Sequence, residues 1–452
     1  MIWLLPVLLL YMLNVSPMAF LRDGATSRHL MDGGYMLDHG VPVSTNFLWQ
    51  LDPHAPFTTH EPLTDLLLTV LYRFSGEQYG SMVVVSAFAM ALALTIAARL
   101  SQKAGASVPL LVVAAFLAAL ATSIHWSCRA HLFSYVFFAM TIAIVTSDLQ
   151  SFKRDLALFL NSALWTNFHC SSILSLPLLF LGNKQLLPRS CLAVLLGILC
   201  NLRGPGYFSF LTQYASKGQS LGRGSEWCAL DLAYGPGIYA FLALLLLTLV
   251  VVIKELKKKR SPEDWVAAGL FIGFGAASFL FMRFIPYFAI FALSIYRGDS
   301  AKKSNLLTNP VQTALSLTSA IVIMAAFMLR TNIEDMQPDF LPVHCTNYLR
   351  DHLPARGLKS TGFCYDNWGD YLSLKSGLPF FIDDKTQTYP AEFNVAYVAA
   401  LMAEPGAREF IESCHFDYAI VPRRAPLAAL LRQMPHWQVV QEDKQAILFY
   451  RK

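Results

Sequence analysis

Charge is scarce in this chain. Of 452 residues, 14% are Asp, Glu, Lys or Arg and 55% are hydrophobic, against about a quarter charged in an ordinary soluble domain. That composition excludes a single soluble globular body, because so many apolar runs cannot all be core helices. Other absences narrow the reading further. The eight cysteines contain no CxxC pair, which removes the usual structural zinc frameworks. No HxxxH or HxH spacing occurs, so no metal or other cofactor is expected, a divalent ion being the only one left open. No Lys or Arg precedes the first apolar run and no small-x-small site follows it, so residues 2–21 read as a retained helix and not as a cleaved signal. The net charge of +5 is small and sits in loop clusters, which speaks of topology and against a nucleic-acid partner. No repeat or low-complexity tract is present.

What the chain does have is apolar segments, about eleven of them. They fall near 2–21, 79–100, 107–125, 131–146, 155–168, 170–182, 190–201, 236–253, 264–282, 284–296 and 311–329. Several fall short of the ~20 residues that a perpendicular span requires. The pair 155–168 and 170–182 reads as two short spans, a broken helix or a re-entrant hairpin. Segment 61–76 is apolar on one face, with Asp65 and Arg73 outside the stripe, and reads as a helix lying in the membrane interface. Lys and Arg concentrate in alternate loops, at Arg99 and Lys103, Lys153 and Arg154, Lys184 and Arg189, 254–260, and Arg297 to Lys303. With those loops cytoplasmic, residues 22–78 and everything after 330 lie outside. The expected organisation is a membrane module over 1–330, with 22–78 as its first outer loop, and an extracytoplasmic domain over 331–452. In that last region FDYAIVP, WQVVQED, AILFYRK and LPFFIDD read as strands. Helical stretches near 343–352, 392–412 and 424–434 alternate with them, which suggests a small α/β domain. Cys345, Cys364 and Cys414 share it, and one disulfide there is compatible with an outside location.

Three constellations carry candidate chemistry. The first loop is dense in acids and imidazoles: Asp23, Arg28, His29, Asp32, Asp38, His39, Asp52, His54, His60 and Glu61. Transfer of a group from a lipid phosphate needs a base for the acceptor proton and donors for the leaving phosphate. Asp23, where the first apolar helix surfaces, is the candidate base, and Glu61 is the second acid. Outer helix ends carry Arg129 and His131, Asn167 and His169, Asn201 and Arg203, Glu226, and Arg283. Arg129, His131, His169, Arg203 and Arg283 are candidate contacts for a donor phosphate, or else anchors to lipid headgroups. In YDNWGDYL and FFIDDKTQTYP, Trp368, Asp384, Lys385 and Tyr389, with Asn167, are candidate acceptor contacts, Trp368 as a stacking platform. The alternative is a turn with a half-buried tryptophan.

RDGATSRHLMDGGYMLDHGVPVSTNFLW resembles the opening loop of bacterial GT-C type membrane glycosyltransferases, the glycosyltransferase 39-like or protein-mannosyltransferase-like group. His60-Glu61-Pro62-Leu63 stands where that family has His-Glu-Trp-Leu. CRAHLFSY and LWTNFHCS are similar to its Arg-Pro-His-Leu-Phe-Ser and Trp-Ala-Asn-Leu-His-Gly elements, and DNWGDYL with FIDDKTQTYP is similar to its C-terminal pair. Asp384 and Lys385 replace a Gly and an Arg. The resemblance implies a polytopic helical GT-C fold in the bacterial inner membrane and a polyprenyl-phosphate or polyprenyl-pyrophosphate sugar as donor. It implies a glycan, lipid or protein acceptor and inversion with or without a metal, and it puts the catalytic acid on Asp23 with its partner on Glu61. The competing expectations are a transporter or flippase of lipid-linked saccharides, which calls for midplane charges and internal symmetry that the sequence lacks, and a non-catalytic scaffold.

Overall fold

The computed structural model describes residues 1–57, 59–202, 207, 208, 212, 227–258, 262–298, 310–330, 340–353, 361–383 and 389–452. The chain packs as two units, one of Met1–Leu21 with Glu77–Met336 and one of Arg22–Gly76 with Gln337–Lys452. The first loop therefore groups with the C-terminal region and not with the helices that flank it in sequence.

The first unit is helical because its segments are apolar on every face and, in hydrocarbon, a backbone must satisfy its own hydrogen bonds. Gly80–Lys103 is its central helix. Ala87, Ala91, Ala93, Ala97 and Ala98 are fully buried there, and such small side chains let neighbouring backbones come close. The helices Leu4–Val15, His131–Val145 and Ile285–Ser294 use that closeness to pack around it. The Ser101 hydroxyl donates to the Leu293 carbonyl at 2.7 Å across one of these contacts. Val108–Thr122 packs on Pro236–Lys258, and Ser151–Phe168 on Leu187–Leu199. Among the described residues, four helices are long and apolar enough to cross a membrane: Gly80–Lys103, Val108–His125, Pro236–Lys257 and Pro310–Leu329. Leu246, Ile272, Leu315 and Ile321 stand exposed on the outer helices, as lipid-facing positions do. After Phe168 the chain continues as 3-10 and α turns over Cys170–Leu181, so the second of the suspect segments is a broken helix.

In the second unit the strand-like runs 418–422, 437–442 and 446–451 form strands. β1 (Gly362–Cys364), β2 (Tyr418–Pro422), β3 (Trp437–Glu442) and β4 (Ala446–Arg451) make one sheet in the order β1-β2-β4-β3. β1 and β2 are parallel and the other pairs antiparallel. Helices Val343–His352, Ala391–Leu401, Ala407–Ser413 and Pro426–Gln433 join it. Phe363, Phe381, Phe416 and Tyr397 form an aromatic cluster at its centre. LPFFIDD departs from its expected role. It is extended but joins no strand of the sheet, and it pairs instead with the first loop. Phe380 exchanges backbone bonds with Leu48 and Gln50, both at 2.9 Å, and the Trp49 indole donates to the Phe381 carbonyl at 3.0 Å. Cys345, Cys364 and Cys414 are all free thiols, so no disulfide braces the unit.

Two first-loop helices, Ala25–His39 and Pro62–Phe74, meet at Gly33. A Cβ built there would lie 2.2 Å from the Asp65 carbonyl oxygen and from Thr69 Oγ1. Thr69 Oγ1 also donates toward the His29 and Leu30 carbonyls at 3.2 Å. The contact with Asp65 is against backbone and cannot relax by turning a side chain. Gly33→Ala should destabilise this unit by roughly 1–3 kcal/mol, as overpacking of a tight core does, read as a lower unfolding midpoint. An unchanged midpoint would show that the two helices separate freely.

Candidate functional site

The chain enters the Ala25–His39 helix through Asp23, which is half-buried. Its Oδ1 accepts from the Ala25 amide at 3.0 Å, the short-range carboxylate turn that suits a helix start. Gly24 lies against Asn367: a Cβ there would be 2.2 Å from the Asn367 carbonyl oxygen. The start of the first loop and the YDNW segment are thus in direct contact.

One turn further on, Arg28 is buried, 1% exposed. Its Nε donates to Asp32 Oδ1 at 2.8 Å, and its Nη1 donates to Asn46 Oδ1 and to Asp383 Oδ2, both at 3.0 Å. The Phe57 ring lies 4.4 Å from the guanidinium carbon. Asp383 in turn accepts the Tyr389 hydroxyl at 2.7 Å. Burial alone would lower the Arg28 pKa, but Asp32, Asp383 and Asp370 together hold it above its ordinary value. Burial and the Asp383 charge likewise keep the Tyr389 phenol protonated.

The next residue, His29, faces a second cluster and is equally buried. Its Nδ1 lies 2.6 Å from Asp65 Oδ1, and Asp65 Oδ2 accepts the Thr59 hydroxyl. Its Nε2 lies 3.7 Å from Glu61 Oε2, and the other Glu61 oxygen lies 3.1 Å from His60 Nε2. Glu61 is 8% exposed. One nitrogen of His29 and one oxygen each of Glu61 and Asp65 lie within 4.8 Å of one another, so these are the residues that could hold a metal ion. Asp65 was not singled out in the sequence. The available sign was spacing, since Glu61 and Asp65 are four residues apart at a helix start and share a face.

The remaining expected residues divide. Trp368, expected as a platform, is 3% exposed and its indole donates to the Phe340 carbonyl at 2.9 Å. It is a core residue, because the turn at Asp366–Trp368 leads straight into the helix Gly369–Ser376 and points the ring inward. Tyr389 is buried in the Arg28 network. In the helical unit, His131 Nε2 lies 3.0 Å from the His125 carbonyl. Asn167 donates to the Ala163 and Cys200 carbonyls at 2.8 and 2.9 Å, which ties helix ends together. His169 Nδ1 lies 2.8 Å from the Ser171 hydroxyl, which also bonds Ser134 and Tyr287. Arg129 is half-buried, and the Arg283 guanidinium sits 5.1 Å over the Trp227 ring. Arg203, Glu226, Asp384 and Lys385 lie outside the described residues.

Arg28→Ala should cost about 3–5 kcal/mol, because it strands buried carboxylates. Arg28→Lys should also be poor, since a point charge cannot span the same fork. Adding Asp383→Asn to Arg28→Ala should recover part of the loss in a double-mutant cycle, and strictly additive losses would break the proposed coupling. Asp366 gives a pH prediction. Its carboxyl is pushed up to about 6, chiefly by burial, from an ordinary value of 3.8. The folded state then keeps a proton that the unfolded state has released, so stability falls as pH rises between those values. Asp366→Asn should flatten that slope and gain roughly 1–2 kcal/mol at pH 7 after allowance for solvent screening, measured by unfolding at pH 4.5 and 7.

No protein-family model matches the chain and no curated protein matches its sequence. Its fold is nevertheless that of the GT-C membrane glycosyltransferases, with apolar helices and a small C-terminal sheet domain, and it is an integral membrane protein. Among solved structures, it is similar to the Archaeoglobus fulgidus oligosaccharyltransferase tethered to an acceptor peptide containing the NVT sequon. The two share 11% identity and a TM-score of 0.54, over 92% of this chain and 68% of that one. It is also similar to ArnT from Cupriavidus metallidurans bound to undecaprenyl phosphate, with 13% identity and a TM-score of 0.51, over 98% of this chain and 97% of that one.

Proposed function

We propose that this protein is a membrane glycosyltransferase that moves a sugar from a polyprenyl-phosphate or polyprenyl-pyrophosphate donor to a glycan, lipid or protein acceptor outside the cytoplasm. The observation that carries this reading is a fold shared over nearly the whole chain with an enzyme crystallised on a polyprenyl phosphate. A second such enzyme was caught with its acceptor peptide. The Lys and Arg pattern of the loops supports an orientation with the first loop and the C-terminal unit on the outer side, and the resemblance to bacterial GT-C enzymes suggests the inner membrane.

In the proposed reaction an acceptor hydroxyl attacks the anomeric carbon, the bond from that carbon to the phosphate oxygen breaks, and the acceptor proton passes to Asp23. The Ala25 amide fixes how the Asp23 carboxylate is presented, and a base held in place is what general-base catalysis requires. Glu61, held between His29 and His60, is the second acid. Within the helical unit, Arg129 and Arg283 are the cations proposed for the donor phosphate. His131 and Asn167 are tied to backbone carbonyls.

The test is transfer by the purified protein from a radiolabelled polyprenyl-phosphate sugar. Asp23→Asn should lower turnover by about 10²–10⁴-fold with an unchanged unfolding midpoint. Wild-type-like turnover in that variant would remove Asp23 from the mechanism, and a wild-type protein inert with every polyprenyl donor would remove the reading itself.

A further inference from the structure

We infer that the paired starts of the helices Ser151–Phe168 and Leu187–Leu199 form a binding site for the headgroup of one anionic phospholipid. The site belongs to the helical unit and does not depend on glycosyl transfer.

The two helices run side by side in the same direction. Ser190 meets the turn at Arg154 and Asp155. Further along, a Cβ built on Gly197 would run into the Phe159 carbonyl and Ser162. Both N-termini therefore lie at one end. Neither start is closed by the side chain of its capping residue, Gln150 or Leu186. The first turn of a helix has amides without partners inside the helix, so the positive ends of two helix dipoles gather there and favour an anion.

Arg154 makes that end a built site. It is buried, 6% exposed. Its Nη2 donates to Ser190 Oγ at 3.0 Å, which sets the guanidinium between the two helix starts. Its Nε–H is buried and has no hydrogen-bond partner among the described residues. Charge is also out of balance. Asp155 stands 3.1 Å from Arg189 and 3.8 Å from Arg154, and it accepts the Ser190 hydroxyl at 3.0 Å. One carboxylate serves two guanidinium groups, so one positive charge is left over. A charge in such a place is costly until it is paired and hydrogen-bonded. A phosphodiester brings one negative charge and oxygens that accept from an arginine fork.

The surroundings select a lipid over a free anion. Phe152, Leu156, Leu160 and Leu164 are exposed at every fourth position from the same helix start. They form an apolar stripe about 18 Å long that an acyl chain joined to the phosphate would cover. Lys153 and Lys184 are exposed on the flanking turns, and from 147 to 190 four Lys and Arg stand against two Asp. A choline headgroup carries its own cation into that excess of positive charge, so the anionic class is favoured.

The experiment uses full-length protein in detergent, freed of co-purified lipid. It is titrated with phosphatidylglycerol or with phosphatidylcholine of identical chains, and bound lipid is read by native mass spectrometry. Wild type should hold one phosphatidylglycerol at least tenfold more tightly than phosphatidylcholine. Arg189→Gln leaves Asp155 to neutralise Arg154 and should lose most of that preference, as should Arg154→Gln. Asp155→Asn raises the excess charge and should tighten binding several-fold. Lys254→Gln, which removes an exposed cation from another helix, should bind as wild type does. Equal affinity for the two lipids would overturn the site, as would a loss with Lys254→Gln as large as that with Arg189→Gln. Displacement of phosphatidylglycerol by millimolar inorganic phosphate would overturn the lipid assignment in favour of a free anion. Arg189, being exposed, carries the test even if Arg154→Gln fails to fold.

Discussion

The second unit depends on one buried cation. Arg28 is the point at which a helix from the start of the chain, a loop carrying Asn46, and Asp383 from near the end are tied together. A guanidinium suits this task because its planar fork reaches several acceptors at once and stays charged when buried. The surrounding carboxylates raise its pKa despite burial, so the interaction is self-consistent: each charge is tolerable only because the others are there. The pairing of Leu48–Gln50 with Phe380 and the contact of Gly24 with Asn367 surround that point and share its fate.

Helices and strands were legible in the sequence where a single period dominated. The apolar runs became helices. The runs 418–422 and 446–451 became strands buried on both faces, and 437–442, which is more open, became a strand by pairing with 446–451. The broken stretch after Phe168 was legible only as an ambiguity, since its length fits several structures. LPFFIDD shows the limit. Its residues favour an extended chain, but the partner that accepts it is some 330 positions earlier, and no local pattern encodes a partner. Trp368 shows the same limit for function. An aromatic next to a glycine and an aspartate looks like a ligand platform until the following helix fixes which way the ring turns.

The candidate site was half visible. Its residue types were conspicuous in the first loop, and a resemblance to GT-C enzymes put roles on Asp23 and Glu61. The division of labour was not visible. Consecutive residues, Arg28 and His29, serve different clusters because adjacent side chains on a helix point about 100° apart: one set of partners holds the unit together, and the other gathers imidazole and carboxylate around Glu61. Asp23 stands before both, at the start of the same helix.

The second unit is discontinuous, with Arg22–Gly76 and Gln337–Lys452 separated by Glu77–Met336 of the helical unit. During synthesis the early segment emerges long before the late one exists. For that interval Arg28 lacks Asp383, Trp49 lacks the Phe381 carbonyl, and the Leu48–Gln50 edge has no strand to pair with. Such an orphaned segment is open to wrong partners and to proteases. Maturation of the protein is therefore governed by its last hundred or so residues, and truncation there strands a polar, aromatic segment at the other end of the chain.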